Sequence, residues 1–171
     1  MRVEDPYSMR LARSDDLEAF LPVAPLIADS NVASPVFAYV DQAFYDDIGP
    51  GTLELLEDET VACWIAEHAG EVLGFVSMRP VPADEGSMLK PAGTVELIVA
   101  ATLPRVRGNG VGRALCERAL TWAAERGLEV CVIDWRAANL TASVFWPRRG
   151  FRPTAYRLHR LIDPRVARQT G

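Results

Sequence analysis

Cysteine, histidine and lysine are scarce in this sequence of 171 residues, which contains three cysteines, two histidines and a single lysine. The cysteines are Cys63, Cys116 and Cys131, and their wide spacing, without any C-x-x-C pair, argues against a disulfide framework and a zinc site. Two histidines are too few to predict a histidine metal cluster. We therefore expect no metal cofactor, and the cysteine usage favours a reducing, cytoplasmic location.

Long apolar runs are also missing. No stretch reaches the roughly 20 apolar residues of a membrane span, and residues 1–10 lack the apolar centre of a signal peptide. The chain is 49% hydrophobic and 24% charged, which is typical of a globular protein with a buried core. We expect one domain over residues 1–171, with loose tails at 1–8 and 164–171, and no membrane partner.

Positive charge is absent from a long N-terminal stretch. Residues 14–78 contain thirteen Asp or Glu and no Lys or Arg, whereas residues 105–171 contain thirteen Arg against five acidic residues. The net charge of −5 disfavours nucleic acid as the main partner. The split is compatible with ordinary solvated surface. It is also compatible with two binding surfaces, a basic one for an anion and an acidic one for a cation.

Residues 93–127 predict a buried strand followed by a tight turn and a helix. The strand is indicated by a short apolar run over residues 95–100. The helix is indicated by apolar residues that recur at helical spacing over 111–123, with Gly127 as its C-terminal stop. Residues 128–135 are apolar on both faces, which predicts an interior strand parallel to the first.

The turn Arg107-Gly108-Asn109-Gly110-Val111-Gly112 joins this strand to the helix. Its glycines permit positive φ and close approach of a ligand, and the free amides at a helix start suit a phosphate or diphosphate. The same glycines are also compatible with a plain turn. A dinucleotide-binding G-x-G-x-x-G does not fit, because the sixth residue counted from Gly108 is Arg113. No Gly-Lys-[Ser/Thr] follows, so a P-loop does not fit either.

The remaining elements are predicted from periodicity and turn residues. The strands are 9–12, 61–68, 72–78 and 150–162. The helices begin at a cap on Ser14 or Asp15, at Pro35 with a stop at Gly49-Pro50-Gly51, at Thr52 for one short turn, and at Asn139 for a last helix to Arg149.

Two sequence blocks resemble the GNAT superfamily of N-acetyltransferases. The family's acyl-coenzyme A segment, [Arg/Gln]-x-x-Gly-x-[Gly/Ala], is matched by Arg107, Gly110 and Gly112, and Thr102-Leu103-Pro104 resembles the hydrophobic-Pro step before it. The family's Asn-x-x-Ala-x-x-Phe-Tyr-x-x-x-Gly-Phe block is matched by Asn139, Ala142, Phe145 and Gly150-Phe151. Two blocks in this order and spacing make the resemblance specific.

The resemblance implies an α+β fold in α/β/α layers, with a mixed, mostly antiparallel central sheet flanked by helices and a strand–helix–strand unit that binds the cofactor. It also implies acetyl-coenzyme A as co-substrate. The residues in the corresponding positions are Ala100, Ala101, Thr102, Arg107, Gly108, Asn109, Gly110, Val111, Gly112, Arg113, Asn139 and Ser143. Asn139 is equally suited to cap the last helix. Arg105, Arg148 and Arg149 are candidates for the 3′-phosphate, with solvated surface as the alternative for each.

The resemblance implies direct acyl transfer to an amine in a ternary complex, without a covalent enzyme intermediate. Glu96 is the candidate general base, acting through a water, because some members carry a catalytic Glu at the start of this strand. The alternative is a strand-end Glu that points to solvent. Many members use a Tyr in the last helix to protonate the leaving thiolate. Trp146 replaces that Tyr here, and an indole N–H is not a usable acid.

The acceptor wall of the family corresponds to the acidic region of this chain, where Tyr39, Tyr45 and Asp46 are the candidate substrate-binding residues. This placement favours a cationic amine. The missing Tyr leaves a second hypothesis open, an acyl-coenzyme A binding or sensing module without turnover. A third hypothesis is an oligomer-forming protein that keeps the fold without the ligand. Relatives are commonly dimers, so a homodimer is also expected.

Overall fold

The computed structural model describes residues 7–32 and 41–158. Five strands form one sheet in the order β1-β2-β3-β4-β5. Their bounds are β1 Ser8–Leu11, β2 Ala62–His68, β3 Glu71–Pro80, β4 Thr94–Thr102 and β5 Val130–Val132. The first four strands pair antiparallel, whereas β4 and β5 are parallel. The predicted mixed, mostly antiparallel sheet is confirmed.

Helices cover both faces of this sheet. Their bounds are α1 Leu17–Phe20, α2 Leu26–Val32, α3 Gln42–Asp46, α4 Ile48–Glu57, α5 Val111–Ala124 and α6 Leu140–Phe145. On one face, Phe20 of α1 packs on Phe75 of β3 with ring centroids 5.1 Å apart, and Leu55 of α4 joins the same cluster. On the other face, Leu115 and Trp122 of α5 pack in the second cluster. The α+β layered fold is therefore confirmed.

The strand–helix–strand unit consists of β4, α5 and β5. Because β4 and β5 are parallel neighbours, the chain must cross over the sheet between them, and α5 makes that crossover. Its buried residues recur at helical spacing: Val111, Leu115, Cys116, Ala119, Trp122 and Ala123. This crossover sets the N-terminus of α5 close to the C-terminal half of β4.

Gly49-Pro50-Gly51 does not end a helix, contrary to the sequence prediction. These residues form the first turn of α4, and the Gly51 amide donates to the Asp47 carbonyl at 2.9 Å. Proline is tolerated there because amides in the first turn have no partner within the helix. The predicted start of a helix at Pro35 lies outside the described residues.

Ser14 and Asp15 do not cap the first helix either. The segment opens with a 3-10 turn, in which the Asp16 carboxylate accepts from the Arg13 amide at 2.8 Å. Two hydrogen bonds from Arg10, at 2.8 and 2.7 Å, hold the same carboxylate and lower the pKa of Asp16. The ion pair with Arg10 of β1 is the reason that Asp16, and not Ser14 or Asp15, makes the capping hydrogen bond. Capping preferences of single residues do not predict this pair.

The predicted strand 128–135 is too long, and the predicted strand 150–162 is not present over its described residues, while 159–162 lie outside them. Within residues 128–135 only Val130–Val132 form a strand, β5. It is the last strand of the sheet within the described part of the chain. Residues 151–158 form no strand, and Tyr156 and Leu158 are exposed. Apolar composition alone predicted both strands, but it does not supply the hydrogen-bonding neighbour that a strand requires.

Candidate active site

The sheet opens between β4 and β5. Strand β5 pairs with β4 only from Thr94 to Glu96, while β4 continues to Thr102. Leu97 lies opposite Met78 and Val99 lies opposite Ser77, so Ile98 is an extra residue that forms a β-bulge. Beyond this bulge one edge of β4 stays paired with β3, and the other edge faces a gap.

Alternation of the backbone decides which amides of β4 face the gap. The Leu103 amide donates to the Leu73 carbonyl of β3 at 2.9 Å. In an antiparallel ladder the hydrogen-bonded pairs alternate, so the Ala101 amide also points to β3 and those of Ala100 and Thr102 point to the gap. The Ala101 amide is therefore paired within the sheet and unavailable to a cofactor.

The N-terminus of α5 supplies a second set of free amides. Within residues 7–32 and 41–158, no acceptor is present for the N–H groups of Gly110, Val111, Gly112 or Arg113. Gly110 is the N-cap residue with φ 89°, a left-handed conformation that brings these amides to one side of the turn. A helix N-terminus with unpaired amides carries a partial positive charge and suits an anion.

Part of the loop is not available in this way. The Arg107 amide donates to the Pro104 carbonyl, and the Asn109 amide donates to the Val106 carbonyl, both at 3.2 Å. These bonds close the 3-10 turn that leads into the loop. The amides of Arg107 and Asn109 are therefore not available to a ligand.

One cavity of about 550 Å³ joins the gap in the sheet to the amides of α5. Nine of the predicted cofactor-binding residues line it: Ala100, Ala101, Thr102, Arg107, Gly108, Gly110, Gly112, Arg113 and Asn139. Three other predicted residues, Asn109, Val111 and Ser143, are not among the lining residues. The fold thus brings residues from two separate sequence blocks to a single opening.

Four arginines line this cavity: Arg107, Arg113, Arg148 and Arg149. Among them only Arg113 has a described carboxylate partner, Glu117, at 2.7 Å on the exposed side of α5. Such an exposed pair contributes little to stability and is easily exchanged for a ligand. The cavity is therefore positively charged at the end where the free amides of α5 lie.

Asn139 and Ser143, at the last helix, both make hydrogen bonds within the protein. The Asn139 side chain accepts from the Ala142 amide at 3.0 Å, so it caps α6 and also lines the cavity. The Ser143 hydroxyl accepts from Trp135 Nε1 at 3.1 Å and donates to the Ala137 carbonyl at 3.0 Å. Ser143 thus fixes the segment before α6, and it does not line the cavity.

Trp146 is buried against its aromatic neighbours. It is 6% exposed, and its ring packs edge-on against Phe145 and Phe151, with centroids 4.8 and 5.4 Å away. The residue also lines the cavity, in the position that the resemblance gives to the general acid. An indole can shape this wall and donate a hydrogen bond, but it cannot supply a proton to a thiolate.

Glu96 lies outside the main cavity. Its carboxylate accepts from Lys90 Nζ at 2.9 Å and lies 3.6 Å from the Arg79 guanidinium. A second cavity of about 400 Å³, next to the bulge residue Ile98 and the acidic end of α4, is lined by Glu96. The residue is thus neither an unpaired strand-end Glu nor a direct neighbour of the free amides.

The predicted acceptor residues do not line the main cavity. Tyr39 lies outside the described residues. The Tyr45 hydroxyl donates to Asp29 at 3.0 Å, and this bond raises the pKa of the tyrosine. Asp46 accepts from Gln42 at 2.9 Å within α3. One side of the main cavity is lined instead by three residues of α2 that the sequence patterns did not single out, Leu26, Ile27 and Ser30.

Cysteine and metal chemistry find no support in the described part of the chain. Burial raises the pKa of Cys116, which lines the cavity, to about 11, and raises those of Cys63 and Cys131 to about 12. A protonated thiol is a poor nucleophile.

The described residues contain no group of three or more His, Cys, Asp or Glu placed to hold a metal ion. Nor do they include a helix long and apolar enough to cross a bilayer.

Gly74 on β3 is a residue that the sequence patterns missed. It lies opposite Thr102, and a Cβ added to it would lie 2.7 Å from both the Ala101 carbonyl oxygen and the Thr102 methyl. The same methyl would lie 3.4 Å from a Cβ at Gly112 of α5. Thr102 is therefore wedged between two glycines, which fixes the end of β4 relative to the start of α5.

The family model for the acetyltransferase (GNAT) family matches residues 26–151. This chain belongs to the GNAT family. Among curated relatives, rat N-acetyltransferase 8B is 26% identical over 118 residues, which is 68% of this chain and 50% of the relative. The chain spans about half the length of the curated relatives it matches.

Solved structures share the fold of this GNAT protein. The PaiA N-acetyltransferase of Thermoplasma acidophilum, in complex with coenzyme A, is 16% identical, with a TM-score of 0.69 over 86% of this chain and 91% of that chain. The aminoglycoside N-acetyltransferase AAC(6')-Iy, in complex with coenzyme A, is 20% identical, with a TM-score of 0.67 over 94% and 99%. At these identities the likeness establishes the fold.

Proposed function

We propose that this GNAT protein transfers an acetyl group from acetyl-coenzyme A directly to a primary amine. The observation that carries the proposal is a single cavity in which free amides of α5 and the open edge of β4 meet. The first set suits a diphosphate, and the second suits the amide groups of a pantetheine arm. Coenzyme A has both groups, and two neighbours of the same fold are complexes with it.

The amides that face the gap would also bring the thioester into position. The Ala100 and Thr102 amides lie beyond the bulge and are directed away from β3. A backbone N–H aimed at the thioester oxygen stabilises the negative charge that develops when an amine attacks the carbonyl carbon. The new C–N bond forms, the C–S bond breaks, and the amine loses a proton. Holding both substrates in one cleft contributes further to the rate.

Departure of the thiolate requires no acid from Trp146. A thiol has a pKa of about 8.5, so its thiolate is a tolerable leaving group near neutral pH. The thiolate can then take a proton from solvent through the open end of the cavity. Cys116 is buried and protonated, but its pKa of about 11 makes it a poor donor to this thiolate.

Glu96 is proposed as the base that accepts the amine proton through a water. Replacement Glu96→Gln is expected to lower kcat about 100-fold at neutral pH, because a protonated amine cannot attack. The loss should shrink as pH rises, since more of the acceptor is then already neutral. The measurement is the pH–rate profile of kcat. Glu85→Gln is the matched control, because Glu85 also pairs with Arg79 and does not line the second cavity.

Overlapping profiles of Glu96→Gln and the parent would remove Glu96 from the mechanism. Its carboxylate would then serve only as the counter-ion of Lys90 and Arg79.

The acceptor is proposed to be a small or peptidic amine, and a cationic one is favoured. Residues 14–78 carry thirteen acidic residues and no Lys or Arg, and they include α2, which lines one side of the cavity. An aminoglycoside N-acetyltransferase is among the neighbours of this fold, which places polyamine-like acceptors in a first screen. A homodimer and a cytoplasmic location are proposed only on the family resemblance and on cysteine usage.

Ligand-induced stabilisation tests the binding step. Acetyl-coenzyme A at about one hundred times its Kd is expected to stabilise the protein by roughly 2.7 kcal/mol. For a chain of this size this raises the Tm by about 5–10 °C in a thermal melt. An unchanged Tm would contradict both the acetyltransferase hypothesis and the acyl-coenzyme A sensor hypothesis. The remaining hypothesis would be a protein that keeps the fold without the ligand. Thiol release with a panel of amines, read by mass spectrometry, then separates the enzyme from the sensor.

A further inference from the structure

The single lysine of the sequence, Lys90, contacts the carboxylate that is proposed as the general base. Its Nζ donates a hydrogen bond to Glu96 Oε1 at 2.9 Å. The side chains are partly exposed, 33% for Lys90 and 27% for Glu96. Partly exposed ion pairs contribute little to stability, so a structural role alone gives no sufficient reason for this contact.

Backbone hydrogen bonds hold Lys90 in this position. The loop that joins β3 to β4 contains a turn in which the Ser87 and Lys90 amides donate to each other's carbonyls, at 2.9 and 3.0 Å. Directly after this turn, the hydroxyl of the fully buried Thr94 donates to the Pro91 carbonyl at 2.6 Å. The loop therefore presents the lysine amine to Glu96 from a fixed backbone position.

Lys90, Glu96 and Arg79 have the arrangement of an activated nucleophile. The Arg79 guanidinium lies 3.6 Å from the Glu96 carboxylate, and the two residues are opposite each other on β3 and β4. A base that activates a nucleophile lies within about 2.6–3.2 Å of it and is itself oriented by a third group. Glu96 meets both conditions, and a primary amine is the nucleophile that acetyl transfer requires.

The Lys90 amine also lies close to the place of the reacting amine. In the proposed mechanism one water joins the acceptor nitrogen to Glu96, a separation of about 5–6 Å. Because Lys90 Nζ lies 2.9 Å from the same carboxylate, the two nitrogen positions are within about 10 Å of each other. Lys90 is not among the described residues that line either cavity, so transfer requires the amine to move over this distance. The flexible four-carbon stem of a lysine permits such a movement.

We propose that Lys90 is an acetyl acceptor, so that the protein acetylates its own lysine within one molecule. The inference rests on the proposed function, because acetyl-coenzyme A is the donor. The Lys90 ammonium first loses a proton to Glu96, which passes it to solvent, and the neutral amine attacks the thioester carbon. The Nζ–C bond forms, the C–S bond breaks with its electrons on sulfur, and a second proton leaves the nitrogen and reaches the thiolate through solvent. The product is an uncharged amide.

Mass spectrometry of the whole protein after incubation with acetyl-coenzyme A tests the proposal. The parent is expected to gain one acetyl group, and peptide mapping should place it on Lys90 rather than on the N-terminal amine. The rate is expected to exceed that of the same protein unfolded in urea by about 100-fold or more, because the folded chain holds amine, base and donor together. The rate should not depend on protein concentration, since the transfer occurs within one molecule.

Three variants identify the residues responsible. Lys90→Arg keeps the positive charge and should gain no acetyl group at position 90. Glu96→Gln should slow the acetylation of Lys90 about 100-fold. The matched control is Glu85→Gln, because Glu85 also pairs with Arg79 but the only described partner of Lys90 Nζ is Glu96. Its rate should stay within about twofold of the parent, as expected for loss of an exposed pair. Circular dichroism and the Tm confirm that each variant folds.

Three results would overturn the proposal: an unmodified Lys90, a rate no higher than that of the unfolded chain, or equal rates in Glu96→Gln and the parent. A rate proportional to protein concentration would also overturn it, since acetyl groups would then pass between copies. If small amines are acetylated and Lys90 is not, this inference fails and the proposed function stands. If the parent binds no coenzyme A, the proposed function fails as well.

Discussion

Gly110→Val is expected to weaken coenzyme A binding by roughly 100-fold. Gly110 caps α5 with φ 89°, a conformation in which a β-branched residue is strained. Relief of this strain would turn the amides of residues 111–113 away from their common direction. Loss of two hydrogen bonds to a charged group costs about 3 kcal/mol, which corresponds to the stated factor. Calorimetric titration with coenzyme A measures the effect.

Gly127→Val is the matched control for this variant. Gly127 also has positive φ, 71°, lies just beyond the other end of α5, and does not line the cavity. A Cβ at either position would have no atom of the described residues within 4 Å apart from its own turn of chain, so both variants differ from the parent mainly in backbone strain. That strain is about 1–3 kcal/mol in each, and both should lose several degrees of Tm. Equal affinity for coenzyme A in the two variants would contradict the assignment of the amides.

Gly74→Ala is expected to lower the free energy of unfolding by about 2–3 kcal/mol, near the upper end for overpacking a well-packed interior. The new methyl group would be 2.7 Å from the Ala101 carbonyl oxygen and from the Thr102 methyl. Either β3 and β4 separate or Thr102 moves, and α5 moves with it. We therefore expect coenzyme A affinity to fall about tenfold in addition. Chemical denaturation and titration measure the two effects.

Two further variants separate strand packing from a general effect of adding a methyl group. Gly51→Ala, inside α4, places its Cβ 3.9 Å from the nearest atom, and it should stabilise the protein by up to about 1 kcal/mol. In Gly74→Ala/Thr102→Ser the Thr102 methyl is gone, but the contact with the Ala101 carbonyl remains. Only part of the lost stability should return. Gly74→Ala with parental stability and affinity would show that β3 and β4 adjust freely.

Local sequence information accounts for the side of the cavity that the start of α5 forms. Arg107, Gly110 and Gly112 stand at fixed spacing before a helix whose apolar residues recur regularly, and helix starts leave free amides whatever the rest of the fold. The same reasoning predicted Asn139 as a cap of α6, and the structure shows this cap. Asn139 also lines the cavity, and its contact with a cofactor stays a prediction. Each of these patterns lies within one turn or one helix. Predictions made from them therefore do not depend on residues that are distant in the chain.

Residues whose roles depend on partners distant in the chain could not be predicted in this way. The bulge at Ile98 exists only relative to β3, and the need for glycine at position 74 arises only against Thr102. The pairing of Glu96 with Lys90 and Arg79 likewise joins a loop to two strands. The predicted strand lengths were wrong for the same reason, because a strand ends where its hydrogen-bonded neighbour ends.

The sequence by itself determined the GNAT family, the order of the main elements and the loop that precedes α5, since these follow from spacing along the chain. Only the tertiary structure decided which amides face the gap, which side chains line the cavity, and that the buried Nε of Arg149 has no hydrogen-bond partner among the described residues. Those facts depend on distances between residues far apart in sequence. Such distances are set by the packing of β3, β4, α5 and α6 against one another.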